Sequence, residues 1–192
     1  IRMSVQEQVI HQEALNERLV RTLSALRKEG LNPEIISGGS TPTLWRSHEI
    51  QGLTEIRAGS CIFFDREALE LGVASVDYLA YTVLATVIST AVPGRAVVDA
   101  GSKALAKESR TGEAGFGILF DRPDVVVSSV SEEHGVLDIS GTDWHPKIGE
   151  RVRIVPNHVC VSVNLQEELL TRDGGTHRLL EIEARGRRHW SN

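Results

Sequence analysis

The chain of 192 residues contains only two cysteines, Cys61 and Cys160. Two cysteines are too few for the disulfide framework of a small secreted domain, and they fit a reducing compartment. No apolar run approaches the roughly 20 residues that a membrane-spanning helix needs. We therefore expect a soluble, cytoplasmic protein without membrane contact.

A basic surface is lacking as well. The sequence has 21 Lys and Arg against 26 Asp and Glu, and its net charge is -5. A chain with this balance has no positive field to hold a nucleic-acid backbone, so we expect no nucleic-acid partner. The content of 41% apolar and 24% charged residues is that of an ordinary globular protein with a core.

Residues 1–72 alternate between helical and extended patterns. Leucines recur at spacings of four, four and three and predict an amphipathic helix over Val5–Lys28, ended by Gly30. The pattern then predicts a strand at 34–37, a glycine-rich turn at 38–43, a short helix through Ile50, a strand and turn at 54–60, and a strand at 61–64. This order is typical of an α/β fold.

Residues 73–192 have a different pattern, rich in β-branched residues and separated by Gly, Pro and Asp turns. It predicts strands at 78–90, 96–99, 125–130, 151–155, 159–163 and 179–184. We therefore expect a mainly antiparallel β domain after the α/β region. Because one helix and two or three parallel strands cannot close a barrel, we expect further chain before residue 1 in the intact protein.

The turn Gly38-Gly39-Ser40-Thr41 lies between a predicted strand and a predicted helix. Glycine lets the backbone approach an anion, and the following N–H groups and hydroxyls can hold its oxygens. Gly59-Ser60, after the next strand, would add a second pair of donors if the two strands are neighbours. The spacing fits a phosphate site and two ordinary tight turns equally well.

His158 and Cys160 lie two positions apart in Pro156-Asn157-His158-Val159-Cys160-Val161. On a strand, residues two apart point to the same face, so the imidazole and the thiolate would lie side by side. Both are zinc ligands, and two protein ligands leave positions open for water and substrate. Without context, a buried cysteine and a hydrogen-bonded histidine explain the pair more simply.

Five segments in order resemble the D-threonine aldolase and D-serine dehydratase family of pyridoxal-phosphate enzymes. They are Ser37 to Thr43, Glu55 to Gly59, Asp99 to Lys103, Ser131 to Gly135, and Pro156 to Leu165. The resemblance implies the C-terminal part of an alanine-racemase-like (β/α)8 barrel over 1–72, followed by a mainly antiparallel β domain over 73–192.

The resemblance also implies roles for particular residues. The cofactor phosphate is expected at Gly38, Gly39, Ser40, Thr41, Gly59 and Ser60, and a divalent metal at His158 and Cys160. The thiolate ligand favours zinc, with manganese as the alternative. Arg57 matches the position that faces the pyridine nitrogen in alanine racemase, although an Arg before a tight turn can equally be a surface residue.

The implied activity is cleavage of the D-threonine aldolase type, or dehydration of D-serine to pyruvate and ammonia, by a homodimer acting on a small D-amino acid. The family's cofactor-binding lysine lies on the first barrel strand, which is absent here, so the catalytic residues stay unassigned and this chain alone is expected to be inactive. A racemase of the same fold is one alternative, for which Tyr78 and Tyr81 are the only tyrosine bases available. A non-catalytic module that binds pyridoxal phosphate or forms dimers is the other.

Overall fold

The computed structural model describes residues 5–109 and 115–185. The chain forms two compact units, Ile1–Ala80 and Tyr81–Asn192. In the described residues, no helix is long and apolar enough to cross a membrane.

The first unit contains α1 (Val5–Lys28), β1 (Ser37–Gly38), a 3₁₀ helix (Thr41–Glu49), β2 (Glu55–Ile56), a 3₁₀ helix (Ser60–Ile62), α2 (Arg66–Glu70) and a 3₁₀ helix (Val76–Tyr78). The bounds of α1 match the sequence prediction. Polar side chains attach α1 to the first 3₁₀ helix: Gln12 Nε2 donates to the carbonyl of Arg46 at 3.0 Å. Strands β1 and β2 pair in parallel, with Ser37 opposite Glu55.

The strand predicted at 61–64 is wrong. Its apolar residues lie in the 3₁₀ helix Ser60–Ile62 and the turn after it, where Phe64 has a φ of 53°. The N–H of Phe64 donates to the carbonyl of Ser60 at 2.7 Å and closes this turn. Phe64 is buried while Ile62 is 71% exposed. Residues 61–64 therefore contribute mainly the side chain of Phe64 to the core and do not form a strand.

The second unit is built on a closed barrel of six strands in the order β3-β4-β7-β6-β5-β8, all paired antiparallel. The strands are β3 (Val83–Ser89), β4 (Arg95–Val98), β5 (Gly117–Leu119), β6 (Val126–Val130), β7 (Gly135–Asp138) and β8 (Arg151–Pro156). Closure removes the unpaired edges that an open sheet would expose. The mainly antiparallel β domain predicted from sequence is confirmed.

The barrel interior is filled by alternate residues of the strands. In β3, Ala85 and Val87 are buried while Leu84 and Ile88 point outward, as the alternating pattern predicted. The predicted strand is too long, because residues 76–78 form a 3₁₀ helix and β3 begins only at Val83. The fully enclosed side chains of the other strands include Val98, Val127, Leu137 and Ile154.

The strand predicted at 159–163 is also wrong, because these residues form the helix α4 (Val159–Asn164). The run of valines favours a strand locally, but packing overrides this preference. Val159 and Ser162 are both fully buried, and Ser162 Oγ donates to the carbonyl of Ala104 at 2.6 Å in α3 (Ser102–Leu105). Only a helical turn brings these two side chains to one face.

A hairpin of β9 (Glu168–Asp173) and β10 (Thr176–Glu181) follows α4 and pairs separately from the barrel. The strand predicted at 179–184 therefore overlaps only the end of β10. The sequence prediction also missed β5, β7 and β9. Two of them are short and contain glycine, and β9 is rich in charged residues, so none has a strong strand pattern.

Candidate functional site

The first unit brings the two glycine-rich turns together. Gly38-Gly39-Ser40-Thr41 follows β1 and leads into a 3₁₀ helix, while Gly59-Ser60 follows β2 and leads into another. The buried hydroxyl of Thr41 accepts a hydrogen bond from the N–H of Cys61 at 3.2 Å, which ties one turn to the other. The neighbouring strands expected from sequence therefore place both turns at the same end of the parallel pair.

Gly39 and Gly59 have different structural reasons to be glycine. Gly39 has a φ of +72°, and a Cβ there would lie 2.9 Å from Ser47 Oγ and 3.2 Å from Ile56 Cγ1. Gly59 has an ordinary negative φ, and a Cβ there would meet no atom within 4 Å. The fold therefore requires glycine at Gly39. At Gly59 the fold itself would accept a larger residue, and its missing side chain leaves open space beside the backbone.

Part of the hydrogen-bonding capacity of the first turn is used internally. The N–H of Ser40 donates to Thr43 Oγ1 at 3.0 Å, and the N–H of Thr43 donates to the carbonyl of Ser40 at 3.1 Å. The exposed Ser40 side chain and the N–H of Thr41 can face an anion, because Pro42 has no N–H and the N–H of Thr43 is bonded to Ser40. Such groups, with two glycines beside them, fit a phosphate.

Arg57 lies at the exposed end of β2. Its Nη1 donates to the carbonyl of Ser37 at 3.1 Å and to Ser37 Oγ at 3.2 Å. Ser37 Oγ in turn donates to the carboxylate of Glu55, so the guanidinium and a carboxylate meet on one hydroxyl. The structure thus holds Arg57 beside β1, and its expected role against a pyridine nitrogen remains a prediction.

The second unit carries the predicted metal pair. His158 is the residue that precedes α4, with extended backbone angles, and Cys160 lies in the first turn of that helix. The argument that both point to one face of a strand is therefore wrong. Both residues nevertheless lie at the N-terminus of α4. The side chain of His158 is 39% exposed, and Cys160 is exposed.

Glu108 contacts His158 directly. Its Oε2 lies 2.9 Å from Nδ1 of the imidazole, which leaves Nε2 as the ring nitrogen that can bind a metal. Across residues 5–109 and 115–185, no group of three or more His, Cys, Asp or Glu could hold a metal. The metal pair of His158 and Cys160 remains a prediction, and Glu108 lies against the imidazole of its histidine.

Asn157 is buried next to His158 and binds the same segment as His158. Its Nδ2 donates to the carbonyl of Glu108 at 3.0 Å and to the carbonyl of Gly115 at 2.9 Å. One side chain thus fixes the positions of both residues. Sequence reasoning missed Glu108, which lies fifty positions before His158 and has no motif around it.

Two of the motifs quoted above pack against each other in the second unit. The N–H groups of Ser102 and Lys103 donate to the carbonyls of Ser131 and Glu132 at 2.8 and 3.1 Å. A Cβ on Gly101 would lie only 2.4 Å from the carbonyl oxygen of Ser131, so glycine is required for this contact. These segments therefore have a structural reason for their sequence.

Comparison with known proteins identifies the family. A family model described as "Putative serine dehydratase domain" matches residues 80–171. D-threo-3-hydroxyaspartate dehydratase of Delftia sp. is 36% identical over 170 residues, covering 78% of this chain and 45% of that protein. An uncharacterized protein of Mycobacterium bovis is 35% identical over 130 residues, covering 65% of this chain and 98% of that protein.

The chain belongs to the D-threonine aldolase and D-serine dehydratase family. It matches the C-terminal part of these enzymes and spans about half the length of the curated relatives with known activities.

Solved structures of this family share the fold. The Delftia dehydratase has a TM-score of 0.76 and 32% identity over 89% of this chain and 51% of its own. D-threonine aldolase from Filomicrobium marinum has a TM-score of 0.78 and 30% identity over 94% of this chain and 49% of its own. An alanine-racemase-like protein from Idiomarina loihiensis has a TM-score of 0.73 and 27% identity, over 82% of this chain and 46% of its own. The predicted fold class, the C-terminal part of an alanine-racemase-like barrel and a β domain, is confirmed.

Two further similar structures are single-residue variants of a D-threo-3-hydroxyaspartate dehydratase. One carries alanine in place of a histidine, and the other carries alanine in place of a cysteine two positions later and is described as the metal-free form. The spacing of these two residues in that enzyme equals the spacing of His158 and Cys160 in this family member.

Proposed function

We propose that this chain is the C-terminal half of a pyridoxal-phosphate- and metal-dependent lyase that acts on β-hydroxy D-amino acids. The pair of converging glycine turns supplies phosphate contacts, and His158 with Cys160 supplies the metal ligands. Two observations together carry the proposal. The chain has a His-x-Cys sequence whose histidine contacts Glu108, and its relatives are named as aldolases and dehydratases of such substrates.

The phosphate contacts are assigned to Gly38, Gly39, Ser40, Thr41 and the Gly59-Ser60 turn. The hydrogen bond between Thr41 and Cys61 keeps the two turns in contact within the first unit. The space beside Gly59 that no protein atom fills supports a close approach of a ligand to its backbone. These residues bind and orient, and no proton transfer is assigned to them.

Bound pyridoxal phosphate would supply an electron sink for negative charge that develops at the substrate α carbon. Arg57 is proposed to face the pyridine nitrogen with its guanidinium, which can only donate hydrogen bonds. Its two bonds to Ser37 hold the group at the end of β2 and support this orientation.

The metal ligands fit zinc better than manganese because one of them is a thiolate. A bound metal would act as a Lewis acid toward the substrate β-hydroxyl. The contact of 2.9 Å between His158 Nδ1 and the Glu108 carboxylate leaves the other ring nitrogen available, and the exposure of Cys160 leaves room for a non-protein ligand. This arrangement supports an open, catalytic site.

Two reactions remain proposals of equal standing. Retro-aldol cleavage of a β-hydroxy D-amino acid gives glycine and an aldehyde, whereas dehydration gives an oxo acid and ammonia. Relatives with each activity match the chain.

A racemase of the same fold would need a tyrosine that accepts a proton. Burial raises the pKa of Tyr81, and the hydrogen bond with Ser162, at 3.1 Å, only partly offsets this effect. A raised pKa disfavours loss of the phenol proton, and the hydroxyl is already engaged with Ser162. The interaction with Ser162 instead supports a structural function, in which Tyr81, just before β3, is attached to α4.

The test is a product assay of the full gene product with D-threonine, D-serine and D-threo-3-hydroxyaspartate. We expect glycine with acetaldehyde, or an oxo acid with ammonia, and loss of the product after chelation of the metal. Activity should return on addition of zinc or manganese. Racemised substrate as the only product, or full activity after chelation, would contradict the proposal.

A further inference from the structure

We propose that Glu108 is a positioning residue that fixes the imidazole of His158 in one tautomer, with the proton on Nδ1 and the lone pair on Nε2. This inference deepens the proposed function, because Nε2 is then the atom offered to the metal. Glu108 itself does not contact substrate or metal in this account.

The contact between the two side chains decides which ring nitrogen carries the proton. Nδ1 of His158 lies 2.9 Å from Oε2 of Glu108. An ionised carboxylate can only accept hydrogen bonds, so a neutral imidazole in this contact must carry its hydrogen on Nδ1. The negative charge behind the ring also makes Nε2 a better electron-pair donor to a cation.

The backbone of Glu108 is fixed independently of its side chain. Nδ2 of Asn157 donates to the Glu108 carbonyl at 3.0 Å, and Asn157 is only 2% exposed. Consecutive residues, Asn157 and His158, thus hold the main chain and the carboxylate of the same glutamate. A surface glutamate that met a histidine by chance would have no such second attachment.

The segment that leads to Glu108 is also held in an uncommon conformation. Ala106 has a φ of 67° and a ψ of 178°, a region that is essentially restricted to glycine, and it is 6% exposed. The preceding helix α3 is attached to α4 by the bond from Ser162 to the carbonyl of Ala104. Strained backbone of this kind persists only where the surrounding structure fixes it, and here it directs the chain toward His158.

Glu133 provides a matched control. It forms an ion pair with Lys103 in the same unit, and the two side chains are 62% and 66% exposed. Its removal deletes one surface carboxylate without touching Asn157 or His158. Glu133→Ala therefore reproduces the change in net charge caused by Glu108→Ala without the change at the imidazole.

The direct test is long-range proton–nitrogen NMR of the metal-free chain, at a pH well above the ordinary imidazole pKa of about 6.5. His158→Ala assigns the signal. We expect the Nδ1–H tautomer in the wild type and in Glu133→Ala, and a shift toward the Nε2–H tautomer in Glu108→Ala. An Nε2–H tautomer in the wild type, or no change in Glu108→Ala, would overturn the inference.

Zinc affinity, measured by competition with a chromophoric chelator, provides the second readout. Removal of a carboxylate behind a metal-binding histidine typically weakens affinity by about 10–100-fold, and we expect this loss in Glu108→Ala but not in Glu133→Ala. If Glu108→Ala does not fold, Glu108→Gln retains the shape of the side chain, and we expect a smaller loss from removal of the charge alone.

The two readouts separate the two proposals. A wild-type chain that binds no zinc would refute the metal site of the proposed function, and the tautomer would still decide the orientation of His158. If the wild-type chain binds zinc and both Glu108→Ala and Glu108→Gln bind it as tightly as the wild type does, the role of Glu108 is refuted and the metal site stays in place. Circular dichroism and thermal unfolding check that each variant is folded.

Discussion

The buried side chain of Asn157 holds the backbone of Glu108 through a hydrogen bond of 3.0 Å from Nδ2 to the carbonyl oxygen. This bond connects β8 and α4 to the segment after α3, across 49 positions of sequence. The carboxylate that meets His158 is therefore positioned by the residue immediately before that histidine. Changes at Asn157 should affect both the stability of the β unit and the metal pair.

We predict that Asn157→Ala lowers the free energy of unfolding by about 1–3 kcal/mol, because the carbonyls of Glu108 and Gly115 lose their donor. Urea denaturation followed by circular dichroism measures this change. Asn164→Ala, at an exposed position at the end of α4, is the matched control and should change stability by at most about 0.5 kcal/mol. Equal stability of the two variants would show that the hydrogen bonds of Asn157 do not stabilise the fold.

The glycines of the two turns should respond differently to alanine. Gly39→Ala forces a side chain into a left-handed backbone conformation and toward Ser47, so we predict a loss of about 1–2 kcal/mol in unfolding free energy. Thermal or urea unfolding measures this loss. An unchanged stability would mean that the turn can rearrange, and the requirement for glycine at Gly39 would be wrong.

Gly59→Ala should leave stability nearly unchanged and weaken phosphate binding, because its Cβ meets no protein atom but would occupy the space proposed for the ligand. Inorganic phosphate, titrated into the chain and followed by backbone NMR shifts, is the probe. Gly141→Ala is the control, because a Cβ there also meets no atom within 4 Å. Phosphate binding that is equal in Gly59→Ala and Gly141→Ala would contradict the assignment of this turn.

Tyr81 should make the β unit sensitive to alkali. Burial raises its pKa above the ordinary value of about 10, so its contribution to stability is complete below pH 10 and is lost as the pH rises toward the folded-state pKa. We predict that Tyr81→Phe costs roughly 1 kcal/mol at pH 8, where its bond to Ser162 is lost. In urea denaturation series the variant should lose stability less steeply from pH 9 to 11.

The ion pair of Lys103 and Glu133 also contributes to the stability of the β unit, and this contribution is lost over the same alkaline range. Its hydrogen bond and charge attraction raise the pKa of Lys103, and both side chains are exposed. Because the pair is present in the wild type and in Tyr81→Phe, the difference between their pH profiles reports on Tyr81. Parallel profiles would show that the Tyr81 hydroxyl stays neutral or is equally accessible in both states.

Much of the fold could be predicted from local patterns. The leucine spacing of α1 gave both of its bounds, and the alternation of Ala85 and Val87 with outward residues identified the face of β3 that lines the barrel. The separation between an α/β part and an antiparallel part was visible in composition alone. These features depend on the periodicity of apolar residues, which can be read from residues close together in the sequence.

The errors lie where distant residues decide the structure. The valines around Cys160 favour a strand, yet α4 forms because Ser162 bonds to Ala104, 58 positions earlier. Glu108 could not be found beside His158 for the same reason, since no local pattern connects residues so far apart. The proximity of the two glycine turns, now seen in the hydrogen bond between Thr41 and Cys61, could be predicted from sequence, because neighbouring parallel strands bring the turns that follow them together.

The central claim is that His158 and Cys160 bind one divalent metal. Cobalt(II) titration tests it most directly, because a thiolate ligand gives an intense charge-transfer absorption that other ligands do not. We predict this band in the wild type and in the control Cys61→Ser, its loss in Cys160→Ser, and weaker cobalt binding in His158→Ala. A band that survives in Cys160→Ser, or a wild type that shows none, would contradict the account.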